Sequence, residues 1–208
     1  MGKMQNGMFG PFTGKIGRLV GVYRNGVHYV KSAPERTKPF TEPELINQNR
    51  FKVAELWLKP ILGFVKIGFN VTGKHAKNAA KSYLLRNAME GKGMNIRVNP
   101  ELMLVSKGLL DNSSNLHVSV DVDFNLRFEW DVSYVTYGNA RDQVMMMAYD
   151  IECKRAYVVT TGNFRCTGMD VLFIPPEARS KTLHIYAAFC GYDRLDQSNS
   201  VYLGVVNI

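Results

Sequence analysis

The sequence has few of the residues that mark metal and redox sites. Its 208 residues include three cysteines and four histidines. Cys153, Cys166 and Cys190 form no CxxC pair, and an odd number of widely spaced thiols favours reduced structural cysteines over a disulfide framework. The histidines at positions 28, 75, 117 and 184 have neither HxH nor HExxH spacing. We therefore expect neither a metal site nor a cofactor.

Motifs for nucleotide binding and nucleophilic catalysis are also lacking. Residues 10–15 have three residues between their glycines where a phosphate-binding loop has four, and Ile16 replaces the Ser or Thr that would reach magnesium. There is no GxSxG elbow, and Cys166 has no identifiable base. The sequence therefore predicts a protein that is not an enzyme. An enzyme of unrecognised class would need a pocket that gathers polar residues of both halves, such as Asp142 and His184.

No apolar run is long enough to cross a membrane. The most apolar stretch, residues 61–71, is interrupted by Gly63, Lys66 and Gly68. Its eleven residues cannot span the roughly 30 Å of bilayer hydrocarbon. The first residues also lack the apolar run of a signal peptide. We expect a cytoplasmic protein with no membrane partner.

Positive charge is concentrated in the first half of the chain. Residues 1–98 hold 17 Lys and Arg against 5 Asp and Glu, a net of +12, whereas residues 99–208 hold 9 against 13, a net of −4. The two halves together give the overall charge of +8. Such an excess attracts anionic partners. We place a domain boundary here, between a basic hairpin-and-helix module of residues 1–98 and a β-sandwich domain of residues 99–208.

The N-terminal part predicts a hairpin followed by helices. Asn25-Gly26 tolerates the positive φ angles of a type I′ turn, and pairing about this turn places Tyr23 opposite His28 and Val22 opposite Tyr29.

Two helices are then expected. Thr41 and Glu44 have the spacing of a capping box, so a helix should begin after Thr41 and end or kink at Pro60. Apolar residues at helical spacing predict a second helix over 72–89.

The second half of the chain changes to a period of two. Apolar and polar residues alternate from 116 to 132, and the acidic positions 121, 123, 129 and 131 are interpreted as the solvent face of strands. Fully extended, this run would span about 56 Å, so it must bend or divide near Phe124-Asn125. Further strands are predicted at 144–149, 156–159, 171–174, 183–190 and 201–206. Many short strands with turns between them indicate an antiparallel sandwich, and the chain as a whole is predicted to be α+β.

The basic residues of the first half are the candidate partner-binding surface. They lie in the hairpin, in the linker after it and along one helical stripe: Lys15, Arg18, Arg24, Lys31, Arg36, Lys38, Lys74, Lys77 and Lys81. Aromatic residues near the hairpin (Phe12, Tyr23 and Tyr29) could stack on bases. The leading hypothesis is a non-enzymatic binding or structural assembly protein, whose partner is another protein or a second copy. The alternative is electrostatic nucleic-acid binding of low sequence specificity.

The whole chain also resembles a bacterial family of about this length that has no assigned function. The resemblance is carried by blocks spread along the chain: Gly10-Pro11-Phe12-Thr13-Gly14-Lys15-Ile16-Gly17, Val30-Lys31-Ser32, Thr41-Glu42-Pro43-Glu44, Gly63-Phe64-Val65-Lys66-Ile67-Gly68-Phe69, Asn78-Ala79-Ala80, Asp142-Gln143-Val144 and Ser198-Asn199-Ser200-Val201-Tyr202-Leu203-Gly204. It implies a hairpin and helical part attached to an immunoglobulin-like or fibronectin-like sandwich. It implies no activity.

Overall fold

The fold is that of a computed structural model, which describes residues 3–4, 10–70, 75–178 and 181–208. The chain divides into two compact units, Met1–Glu42 and Pro43–Ile208. This division differs from the boundary at residue 98 that the charge shift predicts. Charge reports the surface of a protein, whereas the packing of apolar side chains decides which elements share a core.

In the first unit, the described residues form an antiparallel sheet whose strands follow chain order. The strands are β1 (Lys3–Met4), β2 (Phe12–Ile16), β3 (Leu19–Arg24) and β4 (Val27–Ser32). The turn between β3 and β4 has φ angles of 52° and 83° at Asn25 and Gly26, which confirms the predicted hairpin turn.

The register of this hairpin is also as predicted. Tyr23 lies opposite His28 and Val22 lies opposite Tyr29. The rings of Tyr23 and His28 have centroids 4.5 Å apart, as expected of directly opposed residues on one face.

This N-terminal sheet lacks a core of its own within the described residues. None of its apolar side chains there is buried, and all six residues of β4 are exposed. A small sheet gains stability when at least one apolar face is covered. Its exposed apolar side chains therefore form a surface on which another layer could pack.

The second unit begins with helices. They are α1 (Glu42–Leu58), a 3₁₀ turn (Lys59–Ile61), α2 (Leu62–Gly68) and α3 (Ala76–Asn87). The first helix starts directly after Thr41, as the capping-box spacing predicts, and Pro60 lies in the turn that ends it. The predicted start of the second helix at 72 falls outside the described residues. That helix ends at Asn87, because Met89 already begins a strand.

The strands of this unit, as far as the structure describes them, form antiparallel sheets. Their bounds are β5 (Met89–Lys92), β6 (Asn95–Val98), β7 (His117–Val120), β8 (Leu126–Glu129), β9 (Gln143–Asp150), β10 (Arg155–Val159), β11 (Met169–Leu172), β12 (Thr182–Cys190) and β13 (Val201–Asn207). A short hairpin joins β5 and β6, and the larger sheets have the orders β11-β8-β7 and β10-β9-β12-β13. The alternating run divides into β7 and β8, with Phe124 at a φ of 62° between them. This division was predicted.

The central strand β9 explains how the layers fit together. Val144, Met146 and Ala148 belong to the core shared with the β11-β8-β7 sheet. Met145, Met147 and Tyr149 belong to the core shared with the helices. Because other elements cover both faces of β9, its sequence is a continuous apolar run without alternation. The described part of this unit is therefore layered as helices, four-stranded sheet and three-stranded sheet, and its class is α+β.

The Tyr149 hydroxyl gives a pH-dependent test of the helix–sheet contact. It donates a hydrogen bond to the Trp57 carbonyl oxygen at 2.9 Å, and the two rings meet edge to face at 5.2 Å. Burial raises the pKa of Tyr149 to about 12 from an ordinary value of 10. A raised folded-state pKa gives stability that is complete below pH 10 and is lost as the pH rises toward 12, since the unfolded phenol ionises first.

We expect Tyr149→Phe to lower the free energy of unfolding by about 1 kcal/mol at pH 7. Above pH 10 the wild type should lose about 2–3 kcal/mol through this residue, so the difference should shrink and then reverse. Urea unfolding at pH 7, 9 and 11.5 measures this, with Tyr137→Phe at an exposed position as the control. A constant difference across these pH values would contradict the buried placement of the hydroxyl.

Candidate functional site

The sequence-predicted cations are divided between the two units. Lys15, Arg18, Arg24, Lys31, Arg36 and Lys38 belong to Met1–Glu42, and Lys77 and Lys81 belong to α3 of the second unit. Lys74 lies outside the described residues. The first unit holds seven Lys and Arg against two Glu, a net of +5.

Three of these cations share one face of the N-terminal sheet. Lys15 lies opposite Val20, which in turn lies opposite Lys31, and Arg24 lies opposite Val27. Directly opposed residues, and alternate residues along a strand, point to the same side of a sheet. Lys15, Arg24 and Lys31 therefore point to the same side, and all three are exposed.

An aromatic ring completes this surface. Tyr29 pairs with Val22, which puts it on the same side as the three cations and between Val27 and Lys31 along β4. We call Lys15, Arg24, Lys31 and Tyr29 the basic face.

The other side of the same sheet is apolar. Ile16 pairs with Leu19, and Tyr23 and Val30 lie on the same side; these four side chains are 39% to 57% exposed. None of the described residues paired on this side of β2, β3 and β4 is Lys, Arg, Asp or Glu. We call these four residues the apolar face. For β3 and β4, the alternation of residues about the Asn25-Gly26 turn already contains this separation. Ile16 joins the apolar face through the pairing of β2 with β3.

Gly21 allows Phe12 of β2 to lie close against β3 on this apolar side. At Gly21, an added Cβ would lie 2.1 Å from the Phe12 carbonyl oxygen and 2.7 Å from a carbon of its ring. Any larger residue would displace Phe12 from the sheet. Gly21 is thus required by packing and not by its backbone angles.

The other N-terminal arginines make contacts within their own unit. Arg18 Nε lies 3.9 Å from Glu35 Oε1, and both side chains are largely exposed, so this pair contributes little stability. The Arg36 guanidinium lies 3.9 Å above the Phe40 ring. It also donates hydrogen bonds to the carbonyl oxygens of Lys38 and Pro39 at 2.8 and 3.2 Å. Arg36 therefore orders the linker after β4.

The helical lysine stripe is engaged inside the second unit. Lys77 and Lys81 on α3 both bind the carboxylate of Glu55 on α1. Hydrogen bonds from Lys77 and then Lys81 lower the pKa of Glu55. These lysines therefore join two helices, and their role in partner binding stays a prediction.

The polar residues suggested for an alternative enzyme do not come together. Asp142 precedes β9, whose first residue pairs with Cys190, whereas His184 pairs with Tyr149 at the other end of the strand. Six residues of strand separate these ends, which is about 20 Å. His184 Nδ1 instead lies 2.9 Å from the Tyr202 hydroxyl. Asp142 and His184 therefore do not form one site.

Asp142 forms a buried ion pair. Its Oδ2 lies 3.1 Å from Arg165 Nη2, and both side chains are less than one-tenth exposed. Burial raises the pKa of Asp142, and the neighbouring guanidinium opposes this shift. The pair lies beneath the sandwich surface, where it can hold structure but has little access to a substrate.

The residue types that could support metal or redox chemistry are dispersed. All three cysteines are free thiols, of which Cys190 is buried and the others are exposed. Within the described ranges, no group of three or more His, Cys, Asp or Glu side chains is arranged to hold a metal ion. Helices in the same part of the chain are all too short or too polar to cross a membrane.

Comparison with models of known protein families finds a match to this chain. A model of a family of unknown function, DUF6266, matches residues 11–204. The chain belongs to this family. No curated protein and no solved structure matches it.

Serines near the end of this DUF6266 chain have structural roles. Ser198 Oγ accepts a hydrogen bond from the Phe189 N–H at 2.8 Å, and Ser200 Oγ accepts one from the Val105 N–H at 2.9 Å. Ser106 Oγ donates to the Gly68 carbonyl oxygen at 3.1 Å. These buried contacts tie the end of α2 to the loop before β13. The block of residues 198–204 therefore supports the fold.

Proposed function

We propose that this DUF6266 protein is a non-enzymatic binding or assembly protein that contacts an anionic partner through its N-terminal sheet. One observation carries the proposal: the strand register puts Lys15, Arg24 and Lys31 on one face and leaves the opposite face apolar. The unit Pro43–Ile208, with its own buried cores, serves as the scaffold.

The preferred partner is an acidic protein surface, either of another protein or of a second copy. Exposed cations steer and orient an acidic partner, although each rim charge adds little affinity by itself. The uncovered apolar face supplies area that a partner can bury, and burial of apolar surface is the main favourable term in association. A sheet that carries both features is better suited to contact than to enclosing a substrate.

Nucleic acid is the second candidate, and Tyr29 favours it. A tyrosine among cations on one face is the arrangement with which proteins combine phosphate contacts and base stacking. Three contacts to the phosphates of a single strand would make the logarithm of affinity fall with the logarithm of salt concentration with a slope of about −2. An acidic protein partner should show a weaker dependence on salt, because its surface carries a lower charge density than a nucleic acid and releases fewer condensed counterions.

Recovery from the native cell at low salt tests both candidates. The basic-face variant carries Lys15→Gln, Arg24→Gln and Lys31→Gln. The control variant carries Lys52→Gln, Lys59→Gln and Lys92→Gln, at exposed lysines of the other unit for which the structure describes no ion pair.

We expect the wild type and the control variant to recover the same partner and the basic-face variant to lose most of it. Nuclease treatment of the recovered material then distinguishes nucleic acid from protein. Equal recovery by all three proteins would remove the basic face from the proposal.

We also propose that the sandwich is of the immunoglobulin or fibronectin type. Lettered A to G in chain order, β7 to β13 give one sheet of the order E-B-A and one of the order C′-C-F-G, when β10 is taken as C′. Antiparallel strands distributed in this way support the assignment. Backbone contacts between strands measured by NMR test it: pairing of β8 with β9 in one sheet, in place of their separation into two sheets, would overturn it.

A cytoplasmic location is proposed on the basis of the cysteines. Three unpaired thiols, two of them exposed, suit a reducing compartment. Cell fractionation tests this: recovery of the protein outside the cytoplasm would contradict it.

A further inference from the structure

A groove in the second unit has the chemistry of a ligand site and is independent of the N-terminal sheet. It lies between α3 and the segment 107–109 and has a volume of about 610 Å³. This size falls within the usual range of small-molecule sites. The α3 side is one helical face, since Ala79, Ser82, Tyr83 and Arg86 follow i, i+3, i+4, i+7 spacing.

The opposite wall is anchored by hydrogen bonds on both sides of its apolar residue. The Lys107 N–H donates to the Gly68 carbonyl oxygen at 2.8 Å, and the Leu110 N–H donates to the Gln197 carbonyl oxygen at 3.0 Å. At Gly108, an added Cβ would lie 1.9 Å from that same Gln197 oxygen. The wall is therefore held close against the sandwich, and the groove is present before any ligand binds.

The interior of the groove is apolar and open. Phe69, Ala79 and Tyr83 line it together with Leu109, whose side chain is 90% exposed. A leucine that an anchored backbone holds in solvent loses the stabilisation of burial. A hydrocarbon ligand would restore it.

The charged side chains among the described residues of the groove are positive. Arg86 and Lys107 are exposed, and no Asp or Glu is among the described residues that line the groove. Within the described part of the chain neither cation has an ion-pair partner, and Lys107 Nζ lies 5.6 Å above the Tyr83 ring. Two uncompensated cations beside an apolar surface complement an anionic headgroup that carries an apolar tail.

We infer that this groove binds a small amphiphilic anion, namely a single hydrocarbon chain with a carboxylate headgroup. The chain packs against Phe69, Ala79 and Leu109. The carboxylate accepts hydrogen bonds from Arg86, whose planar guanidinium matches its two oxygens, and from Lys107.

Calorimetric titration with dodecanoate, below its micelle concentration, tests the inference. Acetate supplies the headgroup without the tail, and dodecyltrimethylammonium supplies the tail with the opposite charge. We expect saturable one-to-one binding of dodecanoate, no measurable binding of acetate, and binding of the cationic amphiphile at least about tenfold weaker than that of dodecanoate.

Variants assign the binding to the groove. Arg86→Gln with Lys107→Gln should weaken dodecanoate binding about tenfold, and Leu109→Ser should do the same through lost apolar contact. Lys52→Gln with Lys92→Gln, at exposed lysines that do not line the groove, should leave the affinity for dodecanoate unchanged. All these positions are exposed, so unchanged thermal unfolding is expected and confirms that each variant is folded.

Three results would overturn the inference. They are absence of dodecanoate binding, equal binding of the cationic amphiphile, and unchanged affinity in both groove variants. Binding to vesicles of phosphatidylglycerol provides a further test of the inference. If they retain the protein while monomeric dodecanoate does not bind, the cations recognise a membrane surface and the inference fails.

Discussion

Replacing Arg165 with methionine should lower the free energy of unfolding of the Pro43–Ile208 unit by about 3–5 kcal/mol. Arg165 is 3% exposed and Asp142 is 5% exposed, so the substitution leaves a carboxylate buried without its counter-charge. It also removes the guanidinium that lies 4.1 Å above the Phe189 ring. A hydrogen bond of 2.8 Å from Arg165 to the Asp111 carbonyl oxygen is lost as well.

The loss should depend on pH, because the carboxyl can escape its unpaired charge by binding a proton. Burial already raises the pKa of Asp142, and removal of the guanidinium should raise it further. A raised folded-state pKa gives stability below the unfolded value that is lost as the pH rises. Arg165→Met should therefore be less destabilising at pH 4 than at pH 8.

A double-mutant cycle separates the ion pair from ordinary packing. Asp142→Asn combined with Arg165→Met should recover part of the stability, because it removes both charges. Arg155→Met, at an exposed position, should change stability by less than about 0.5 kcal/mol. If urea unfolding finds Arg165→Met no worse than Arg155→Met, the buried ion pair described here is wrong.

Leu84→Ala should destabilise the helices and the sandwich together, by about 2–5 kcal/mol. Leu84 is fully buried in α3, and its core includes Met145, Met147 and Tyr149 of β9. The other side of β9 belongs to the sandwich core. A cavity at Leu84 should therefore lower the stability of one cooperative unit.

The two tryptophans of the chain allow each core to be followed separately. Trp57 belongs to the helix–sheet core and Trp130 to the sandwich core. With Trp130→Phe as background, fluorescence reports the first core, and with Trp57→Phe it reports the second. In each background, Leu84→Ala should shift the fluorescence transition by the same amount as the transition followed by circular dichroism. A shift confined to the Trp57 signal would favour separate domains with a boundary near residue 98.

The hairpin, the start of the first helix and the main strands were predictable because their signals are local. Asn25-Gly26 fixes both the turn and the opposed pairs across it. The alternation from 116 to 132 predicts β7, β8 and the turn at Phe124, since a period of two specifies which side chains face the core.

The packing of helices onto the sandwich was not predictable in the same way. Residues 144–149 read as an uninterrupted apolar run, which is equally consistent with several kinds of buried strand. Only the structure assigns alternate residues of this run to different cores. The predicted domain boundary at residue 98 was based on the distribution of charge. Charge carries no information about the contact between the helices and β9.

The candidate sites were predictable only in part. The cations of the basic face are visible in the sequence, and the register that puts Arg24 and Lys31 on one side follows from the Asn25-Gly26 turn. The position of Lys15 depends on the pairing of β2 with β3, which was not predicted. The engagement of Lys77 and Lys81 by Glu55 depends on how α1 crosses α3. The groove joins Arg86 to Lys107 and Leu109 across residues distant in sequence, so no local motif could reveal it.

The central claim is that the partner lies on the N-terminal sheet. Amide hydrogen exchange, measured on the protein alone and with the material recovered at low salt, tests it most directly. Partner contact should slow exchange in residues 12–32, because β4 is exposed throughout and its neighbours are only partly covered in the protein alone. Protection confined to Pro43–Ile208, with residues 12–32 unchanged, would contradict the account.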